Sequence, residues 1–378
     1  AIHGGCLGGG TELALACRGR VASDHERTKI ALPEVRLGLL PGAGGTQRLP
    51  RLVGIVAALD MILTGKNIPA KKALAMGLVD EVVHPAILIE TALEHARKLA
   101  KGAPRRKPRR GLIAKIGRWF LEATPLGQWI VFSRAKEAVL KETHGNMPAP
   151  LKAIECIRAG VEGGPEKGYA VEAEEFGKLA MTPEAKNLMG LFFAVTELKR
   201  DTGVGDASVT AGEVRKVGVL GSGLMGTGIA FVTAVEAGLP VRLKDVGQEP
   251  LRKSQKALFG LISDRAARRK LSTSERDRLM ALVRPTIDLT GFRRADVVIE
   301  AVVEDLAVKR QAVRAMEEAA GPDLIFATNT SSLPIDRIAE GGQRPGRVVG
   351  MHYFSPVDKV PLLEVVAGPR TEPGVIAT

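Results

Sequence analysis

The sequence VGVLGSGLMG spans residues 217–226 and decides the fold of the second half of the chain. A short apolar run breaks into glycines, and the residues that follow have the composition of an apolar helix. Gly221 suits a tight turn, Gly223 lets the backbone approach a pyrophosphate, and Gly226 lets the helix lie close to the strand. The stretch therefore predicts the first strand, loop and helix of a Rossmann-type parallel sheet that binds a dinucleotide.

A second predicted strand, over residues 240–243, is followed by Asp245, which lies 24 positions after Gly221. A carboxylate at this place accepts hydrogen bonds from ribose hydroxyls and disfavours a 2′-phosphate, which indicates NAD as the cofactor. The alternative is that Asp245 only caps the turn before Gln248.

Length and composition restrict the class of protein. The chain has 378 residues, of which 45% are hydrophobic, and this suits two or three globular domains. A net charge of +12 favours an anionic partner, such as a phosphate-bearing substrate, an acidic membrane surface or a nucleic acid. Aromatic residues make up only 4% and are not interleaved with basic ones, so we expect no nucleic acid partner.

The cysteines and the chain ends give weaker indications. The 3 cysteines have no metal-binding or disulfide spacing, which is typical of free thiols in a reducing compartment. We expect no membrane-spanning helix, because no apolar run reaches about 18 residues. The chain begins at Ala1 inside a strand-like run, and from this we expect an internal fragment of a longer protein.

A second glycine run, residues 8–10, precedes a predicted helix over residues 12–17. Backbone N–H groups at such a helix entrance can stabilise an oxygen that becomes negatively charged, although a closely packed turn is the alternative. Glu12 lies in the first helical turn, and Glu34 follows a short apolar segment. Residues 38–54 predict a shaped loop with a helix beginning at Gln47.

Three segments of this first part resemble the enoyl-CoA hydratase/isomerase (crotonase) family: LGGGTE, LPEVRLGLLPGAGGTQRLPRLVG and LTGKNIPAKKALAMGLVDEVV. The resemblance implies a partial crotonase-type ββα-spiral domain in which the N–H of Gly9 polarises a thioester oxygen. It also implies that Glu12 and Glu34 act on one water molecule, one taking a proton and the other delivering one to Cα. Their spacing of 22 residues resembles that of the fused multifunctional members. An isomerase and an inert scaffold are the alternatives.

The middle of the chain is predominantly helical in pattern. The basic segment KGAPRRKPRR, residues 101–110, is either a solvated loop or a contact with an anionic lipid surface. A helix is predicted to begin at Pro148 or Pro150, and two further helices are separated near Thr182, a predicted N-cap. Four aromatic residues in this region are either core or a membrane-facing stripe, and we favour core: Trp119, Phe120, Trp129 and Phe132.

Polar residues follow the later predicted strands. Strands are predicted over residues 295–303, 324–328 and 347–351, and the side chains at their ends meet at the carboxyl edge of a parallel sheet. We therefore expect five side chains to converge at this edge: Asp245, Glu304, Asn329, Ser331 and His352. Glu364 lies in the apolar segment PLLEVV, where a buried carboxylate needs a partner such as a histidine. A structural role for a lone His352 is the alternative.

The segments VGVLGSGLMG, VIEAVVEDLAVKR, FATNTSSLPI and GMHYFSPVDKVPLLEVV resemble the 3-hydroxyacyl-CoA dehydrogenase family. The resemblance implies that His352 is the general base, that Glu364 orients it and that Ser331 binds the 3-oxygen of the substrate. Ser355 stands where many relatives have Asn. The positions that the resemblance assigns to NAD are Gly221, Gly223, Met225, Gly226, Asp245, Val303, Glu304, Lys309 and Asn329.

Together the two resemblances predict an α/β chain with the domain order of the multifunctional fatty-acid β-oxidation enzymes. The crotonase-like domain with its C-terminal helices covers residues 1–200, a linker covers 201–212, and the NAD-binding domain covers 213–378. The implied partners are acyl-CoA thioesters and a thiolase β-subunit. The implied location is the bacterial cytoplasm or, as the alternative, the mitochondrial matrix and inner-membrane surface. An interaction module that docks a thiolase or an anionic membrane is the competing function.

Overall fold

The computed structural model describes residues 1–104, 119–269 and 271–378. The chain divides into two compact units, Ala1–Lys199 and Arg200–Thr378. Most of the predicted basic segment, residues 105–110, lies outside the described residues. Within the described part, every helix is too short or too polar to cross a membrane.

The first unit combines short strands with a larger number of helices. Strand β1 pairs with β3 in parallel, β3 pairs with β4 antiparallel, and β2 pairs with β5 in parallel. The strands are β1 (Gly5–Leu7), β2 (Val21–Ser23), β3 (Lys29–Ala31), β4 (Ile68–Pro69) and β5 (Glu81–Val83). The helices are α1 (Gly9–Ala16), α2 (Gly45–Val53), α3 (Ile55–Thr64), α4 (Ala70–Met76), α5 (Leu88–Ala100), α6 (Pro125–Thr143), α7 (Pro148–Glu162), α8 (Gly164–Ala180) and α9 (Pro183–Leu198).

Helices α7 and α8 form a hairpin that packs closely on α2. Gly160 on α7 and Gly168 on α8 both face the side chain of Gln47, and a Cβ at either position would clash with its amide. The Gln47 amide is buried and donates hydrogen bonds to Thr46 Oγ1 and to the carbonyl of Cys156, each at 2.9 Å. The small residues therefore let the hairpin fix the beginning of α2, which carries part of the first candidate site.

The second unit is built on one seven-stranded sheet, in the order β12-β11-β10-β9-β6-β7-β8. Its strands run parallel except β12, which pairs antiparallel with β11. The strands are β6 (Val217–Leu220), β7 (Val241–Lys244), β8 (Val283–Thr286), β9 (Val297–Glu300), β10 (Ile325–Thr328), β11 (Val348–Tyr353) and β12 (Leu363–Ala367). The helices are α10 (Leu224–Val235), α11 (Gln248–Arg269), α12 (Thr273–Leu282), α13 (Leu306–Ala319), α14 (Ile335–Ala339) and α15 (Pro373–Ala377).

The strand order confirms the predicted Rossmann-type parallel sheet. After β6 the chain adds β7 and β8 on one side, and it then returns to add β9, β10 and β11 on the other. The direction in which strands are added therefore reverses between β6 and β9. In open α/β sheets, ligands bind at this point. All residues of β6, β9 and β10 are buried, as expected for central strands of a parallel sheet covered on both faces.

Some predicted boundaries differ from those observed. The strand predicted over residues 295–303 ends at Glu300, because the Glu300 carboxylate accepts the N–H of Val302 and turns the chain out of the sheet. Val303 is consequently exposed. The helix predicted from residue 12 begins at Gly9, since the glycine run itself forms the first turn. The predicted N-cap at Thr182 is confirmed by its hydrogen bond from the N–H of Ala185.

The expectation that four aromatic side chains belong to the core was wrong for three of them. Phe132 is buried in the core of the first unit. Trp119, Phe120 and Trp129 are 63%, 42% and 62% exposed. Helix α6 buries Gly127, Phe132 and Val139, so only part of its surface joins the core.

Candidate active sites

The glycine run of the first unit forms the entrance of α1. Gly9 is the first residue of the helix, so its N–H has no acceptor within the helix. A Cβ on Gly8 would lie 3.4 Å from Oε1 of Glu34, which shows that the entrance borders this carboxyl group. The predicted thioester-binding glycine and one predicted catalytic carboxyl are thus adjacent.

Glu12 projects from the first turn of α1 towards the N-terminus of α2. Its Oε1 accepts the backbone N–H groups of Ala43 and Gly45, both at 2.8 Å, and the side chain is buried. The N-terminus of a helix carries a partial positive charge and favours an anionic oxygen. The two N–H groups therefore fix the carboxyl group of Glu12 as a hydrogen-bond acceptor.

Glu34 opens a short 3₁₀ turn, Glu34–Leu37, and lies in a different environment. Within the described residues, neither of its buried carboxyl oxygens has a hydrogen-bond partner outside its own residue. Burial raises the pKa of Glu34 to about 7, helped by the charges of Glu12 and Glu172 and partly opposed by its own backbone N–H. Two neighbouring carboxyl groups with opposite environments are suited to act as an acid and a base.

Glu172 is a third carboxylate in this region, and the sequence reasoning missed it. It lies on α8, is 2% exposed, and accepts the N–H groups of Gly44 at 2.6 Å and Thr46 at 3.0 Å, together with the Thr46 hydroxyl. Burial raises the pKa of Glu172, although these hydrogen bonds oppose the effect. Glu172 stands in the run VEAEEF, residues 171–176, beside two other acidic residues, and nothing in this run distinguishes it.

The glycine loop of the second unit has the geometry that a pyrophosphate requires. Gly221 has a φ of 93°, in the left-handed region, and a Cβ on Gly226 would clash with the carbonyl oxygen of Gly221. A Cβ on Gly223 would meet no atom within 4 Å, so this side of the loop is open. A cleft of about 490 Å³ borders Gly223 and Leu224. The first N–H groups of α10 have no acceptor within the helix, and a helix N-terminus of this kind favours an anionic ligand.

Asp245 follows β7 and holds the glycine loop. Its Oδ2 accepts the N–H and the hydroxyl of Ser222 at 2.7 and 2.6 Å, and its Oδ1 accepts the N–H of Val246 at 2.7 Å. Partial burial alone raises the pKa of Asp245, but these hydrogen bonds outweigh it and hold the pKa below its ordinary value. A role of Asp245 as a turn cap accounts for its hydrogen bond with Val246. It does not account for the two hydrogen bonds with Ser222 in the glycine loop.

A buried ion-pair cluster lies beyond the ends of β9 and β10. The ammonium of Lys309, which is 1% exposed, contacts both oxygens of Glu300 at 2.8 and 3.0 Å and Oε2 of Glu304 at 3.1 Å. Glu300 is fully buried, also accepts the Thr328 hydroxyl, and was missed in the sequence. Lys309, predicted as an NAD contact, is thus enclosed by carboxylates.

Glu304 connects this cluster to the predicted substrate serine. Its Oε1 accepts the hydroxyl of Thr330 and, at 3.2 Å, the N–H of Ser331. Partial burial raises the pKa of Glu304, but hydrogen bonds from Thr330 and Lys309 outweigh this and lower it. The predicted convergence of Glu304 and Ser331 is therefore observed.

His352 and Glu364 form the predicted pair. They are directly opposite each other in the antiparallel β11–β12 ladder, and His352 Nδ1 lies 2.8 Å from Glu364 Oε2. The expectation that Glu364 is buried was wrong: it is exposed, because β12 is the edge strand and all of its residues are exposed. Asn329 Oδ1 accepts the N–H of Tyr353 at 2.8 Å, which connects the end of β10 to the strand carrying His352.

Two glycine substitutions separate ligand binding from folding. We expect Gly223→Ala to keep the thermal stability of the parent but to raise the Kd for NAD at least about tenfold, because the methyl group enters the open side of the loop. Gly226→Ala should lower stability by about 1–3 kcal/mol, because the backbone must shift to admit the methyl group. Calorimetric titration with NAD and thermal unfolding measure both effects. Unchanged NAD affinity in Gly223→Ala would contradict this placement of the pyrophosphate.

Each of the two units contains a region that matches a known protein family. Residues 216–378 match the family described as 3-hydroxyacyl-CoA dehydrogenase, NAD binding domain, and residues 1–107 match the enoyl-CoA hydratase/isomerase family. The chain is also similar to the fatty acid oxidation complex subunit alpha of Shewanella amazonensis, with 52% identity over 379 residues. The same subunit of Shewanella loihica is 52% identical over 378 residues.

These relatives are longer proteins. Each match covers 100% of this chain and 52% of the relative, so the chain spans about half the length of the curated relatives it matches. Among solved structures, 3-hydroxybutyryl-CoA dehydrogenase from Escherichia coli is 36% identical, with 43% of this chain and 34% of that chain covered and a TM-score of 0.42. The chain joins an enoyl-CoA hydratase/isomerase region to a 3-hydroxyacyl-CoA dehydrogenase NAD-binding domain, and over its whole length it is similar to part of the fatty acid oxidation complex α-subunits.

Proposed function

We propose that the protein hydrates trans-2-enoyl-CoA to L-3-hydroxyacyl-CoA and then oxidises this product to 3-ketoacyl-CoA with NAD⁺. One observation carries the proposal. At the beginning of α1, the chain holds two carboxyl groups in opposite environments, Glu12 and Glu34. On the Rossmann-type sheet, the same chain holds the pair of His352 and Glu364. The names of the matched families supply the substrate class, acyl-CoA thioesters.

In the proposed hydration, Gly9 donates its N–H to the thioester oxygen and stabilises the enolate that forms. Glu12, held as an acceptor by two N–H groups, takes a proton from water, and the water oxygen bonds to Cβ. Glu34, whose raised pKa of about 7 keeps a proton available near neutral pH, delivers that proton to Cα. Exchange of protons with solvent then restores both carboxyl groups.

In the proposed oxidation, bound NAD⁺ supplies the acceptor for the hydride that leaves C3. Glu364 holds Nδ1 of His352 as the N–H donor, so Nε2 is the free base that takes the proton of the C3 hydroxyl. Ser331 holds the C3 oxygen. The loss of a proton and a hydride converts the hydroxyl to a ketone.

The residues proposed to hold NAD divide by the part of the cofactor they meet. The glycine loop and the backbone at Met225 receive the pyrophosphate, and Asp245 receives the adenosine ribose. Lys309 acts by holding Glu304 in place, since its ammonium already contacts the carboxylates of Glu300 and Glu304. The full proposed set is Gly221, Gly223, Met225, Gly226, Asp245, Val303, Glu304, Lys309 and Asn329.

We further propose the domain division made from the sequence, with residues 1–200 for the hydratase region, 201–212 for the linker and 213–378 for the NAD-binding domain. The matched ranges support it. A thiolase β-subunit is the proposed protein partner, supported by relatives named as subunits of a complex. The bacterial origin of those relatives supports a location in the bacterial cytoplasm.

Formation of NADH tests the combined function. With trans-2-enoyl-CoA and NAD⁺, NADH forms only if hydration precedes oxidation, whereas L-3-hydroxyacyl-CoA needs oxidation alone. We expect NADH from both substrates, followed by absorbance. NADH from the hydroxyacyl substrate alone would favour an inert or isomerase first region, and NADH from neither would contradict the proposal.

A further inference from the structure

The N-terminus of α2 presents four consecutive backbone N–H groups, those of residues 43–46. A helix begins with N–H groups that have no acceptor within the helix, and here each of the four meets a carboxylate. The N–H groups of Ala43 and Gly45 point to Glu12. These two donors therefore fix the position of the carboxyl group to which we assign proton abstraction from water.

The intervening N–H groups, those of Gly44 and Thr46, point to Glu172 instead. The donors thus alternate along the chain between two carboxylates that approach the same helix end from α1 and from α8. Glu172 also accepts the Thr46 hydroxyl, so it holds this end of α2 by three hydrogen bonds. Without the charge of Glu172 we expect this turn, which presents the remaining donors to Glu12, to be held less firmly.

Glu172 is itself held rigidly. The helix hairpin that carries it is packed through Gly160 and Gly168 onto Gln47, and Gln47 donates to Thr46 Oγ1. Because the hairpin, Thr46 and Glu172 form one connected network, the position of Glu172 is coupled to the beginning of α2.

We propose that Glu172 is a positioning residue of the first site: by occupying the N–H groups of Gly44 and Thr46, it fixes the helix end that holds Glu12. The expected effect on hydration rests on the proposed function. The effect on the titration of Glu34 does not, since it follows from the charge of Glu172 beside the site.

Several charged and titratable groups surround this helix end. Lys152 and Glu175 pair with each other at 3.2 Å, which leaves Glu172 to the backbone donors. The charge of Glu172 contributes to the raised pKa of Glu34 and to that of the buried thiol of Cys156. The groups on the surrounding elements are Glu12, Glu34, Arg48, Lys152, Cys156 and Glu175.

The test compares Glu172→Gln with Glu175→Gln, a matched change one turn away on α8 that does not touch α2. We expect Glu172→Gln to lower kcat for hydration about 10- to 100-fold with KM within about twofold, because a displaced base loses its productive geometry. Oxidation of L-3-hydroxyacyl-CoA should not change. Glu175→Gln should leave kcat for hydration within about twofold of the parent.

A second readout does not depend on activity. The unfolding free energy of the parent is compared with that of Glu34→Gln across pH. The difference changes between the unfolded and the folded pKa of Glu34, so its midpoint moves when the folded pKa moves. In the Glu172→Gln background we expect this midpoint to fall, by less than the shift that burial causes, because a like charge that contributes to the raised pKa has been removed. The Glu175→Gln background should keep the parent midpoint.

The outcomes are distinguishable. Absence of hydration in the parent would overturn the proposed function and the positioning role with it, whereas unchanged kcat in a folded Glu172→Gln variant of an active parent would overturn the positioning role alone. If Glu172→Gln does not fold, Thr46→Val removes one donor to Glu172 and should change kcat and the midpoint in the same directions by smaller amounts. A folded Glu172→Gln variant with unchanged kcat and unchanged midpoint would overturn the positioning role.

Discussion

Replacing Glu34 with glutamine is expected to lower the rate of enoyl-CoA hydration by about 10²- to 10⁴-fold. Glutamine keeps the size of the side chain but has no acidic proton to deliver to Cα. Oxidation of L-3-hydroxyacyl-CoA should continue at the parent rate, because that chemistry is assigned to the sheet of the second unit. Initial rates with each substrate measure both effects, and a hydration rate within about threefold of the parent would contradict the role of Glu34.

The same variant has a predicted effect on stability, whose sign follows from the raised pKa of Glu34. Burial raises this pKa from 4.5 to about 7, so the unfolded chain ionises first as the pH rises. The protonated group contributes fully to stability below pH 4.5, and the contribution is lost as the pH rises through about 7. The shift corresponds to at most about 3 kcal/mol.

Glu34→Gln cannot ionise and therefore avoids this loss. We expect it to gain up to about 3 kcal/mol over the parent above pH 7 and to show no gain at about pH 4. Urea unfolding at several pH values measures the difference. Over the same range, the rate of hydration by the parent should decline above about pH 7, since Glu34 then loses the proton that it must deliver. A stability difference that does not depend on pH would contradict the raised pKa.

Replacing His352 with glutamine is expected to lower the rate of hydroxyacyl-CoA oxidation by about 10²- to 10⁴-fold. Glutamine can hydrogen-bond to Glu364 but cannot accept the hydroxyl proton at neutral pH. NAD affinity, measured by calorimetry, should stay within about twofold of the parent, because the glycine loop and Asp245 are unchanged. Hydration should also be retained.

A control for this variant lies in the same unit. Glu372→Gln removes a carboxylate that pairs with Arg347 at 3.5 Å, outside the His352–Glu364 pair. We expect both activities to survive this change. If His352→Gln oxidised the substrate at the parent rate, another group would have to be the base.

The glycine loop was predictable from the sequence because its geometry is local. The backbone requirements at Gly221 and Gly226 arise within six residues, and the structure meets both. The end of β9 was not predictable from composition, since the apolar run continues to Val303. The strand stops at Glu300, whose carboxylate accepts the N–H of Val302 and pairs with the ammonium of Lys309.

Glu172, which the sequence reasoning missed, depends on distant parts of the chain. Glu172 is bonded to backbone groups 126 and 128 positions away, and no short motif records such a contact. Glu364 shows the converse error. Its apolar neighbours indicated burial, but they lie on an edge strand, and a local pattern does not show which strand is outermost.

We propose that one chain carries two catalytic sites that work independently. The most direct measurement is the pair of initial rates, hydration of trans-2-enoyl-CoA and NAD⁺-dependent oxidation of L-3-hydroxyacyl-CoA, in Glu34→Gln and in His352→Gln. The prediction is that Glu34→Gln loses hydration and keeps oxidation, while His352→Gln loses oxidation and keeps hydration. A folded variant of either kind that loses both activities, or that retains both, would contradict the claim.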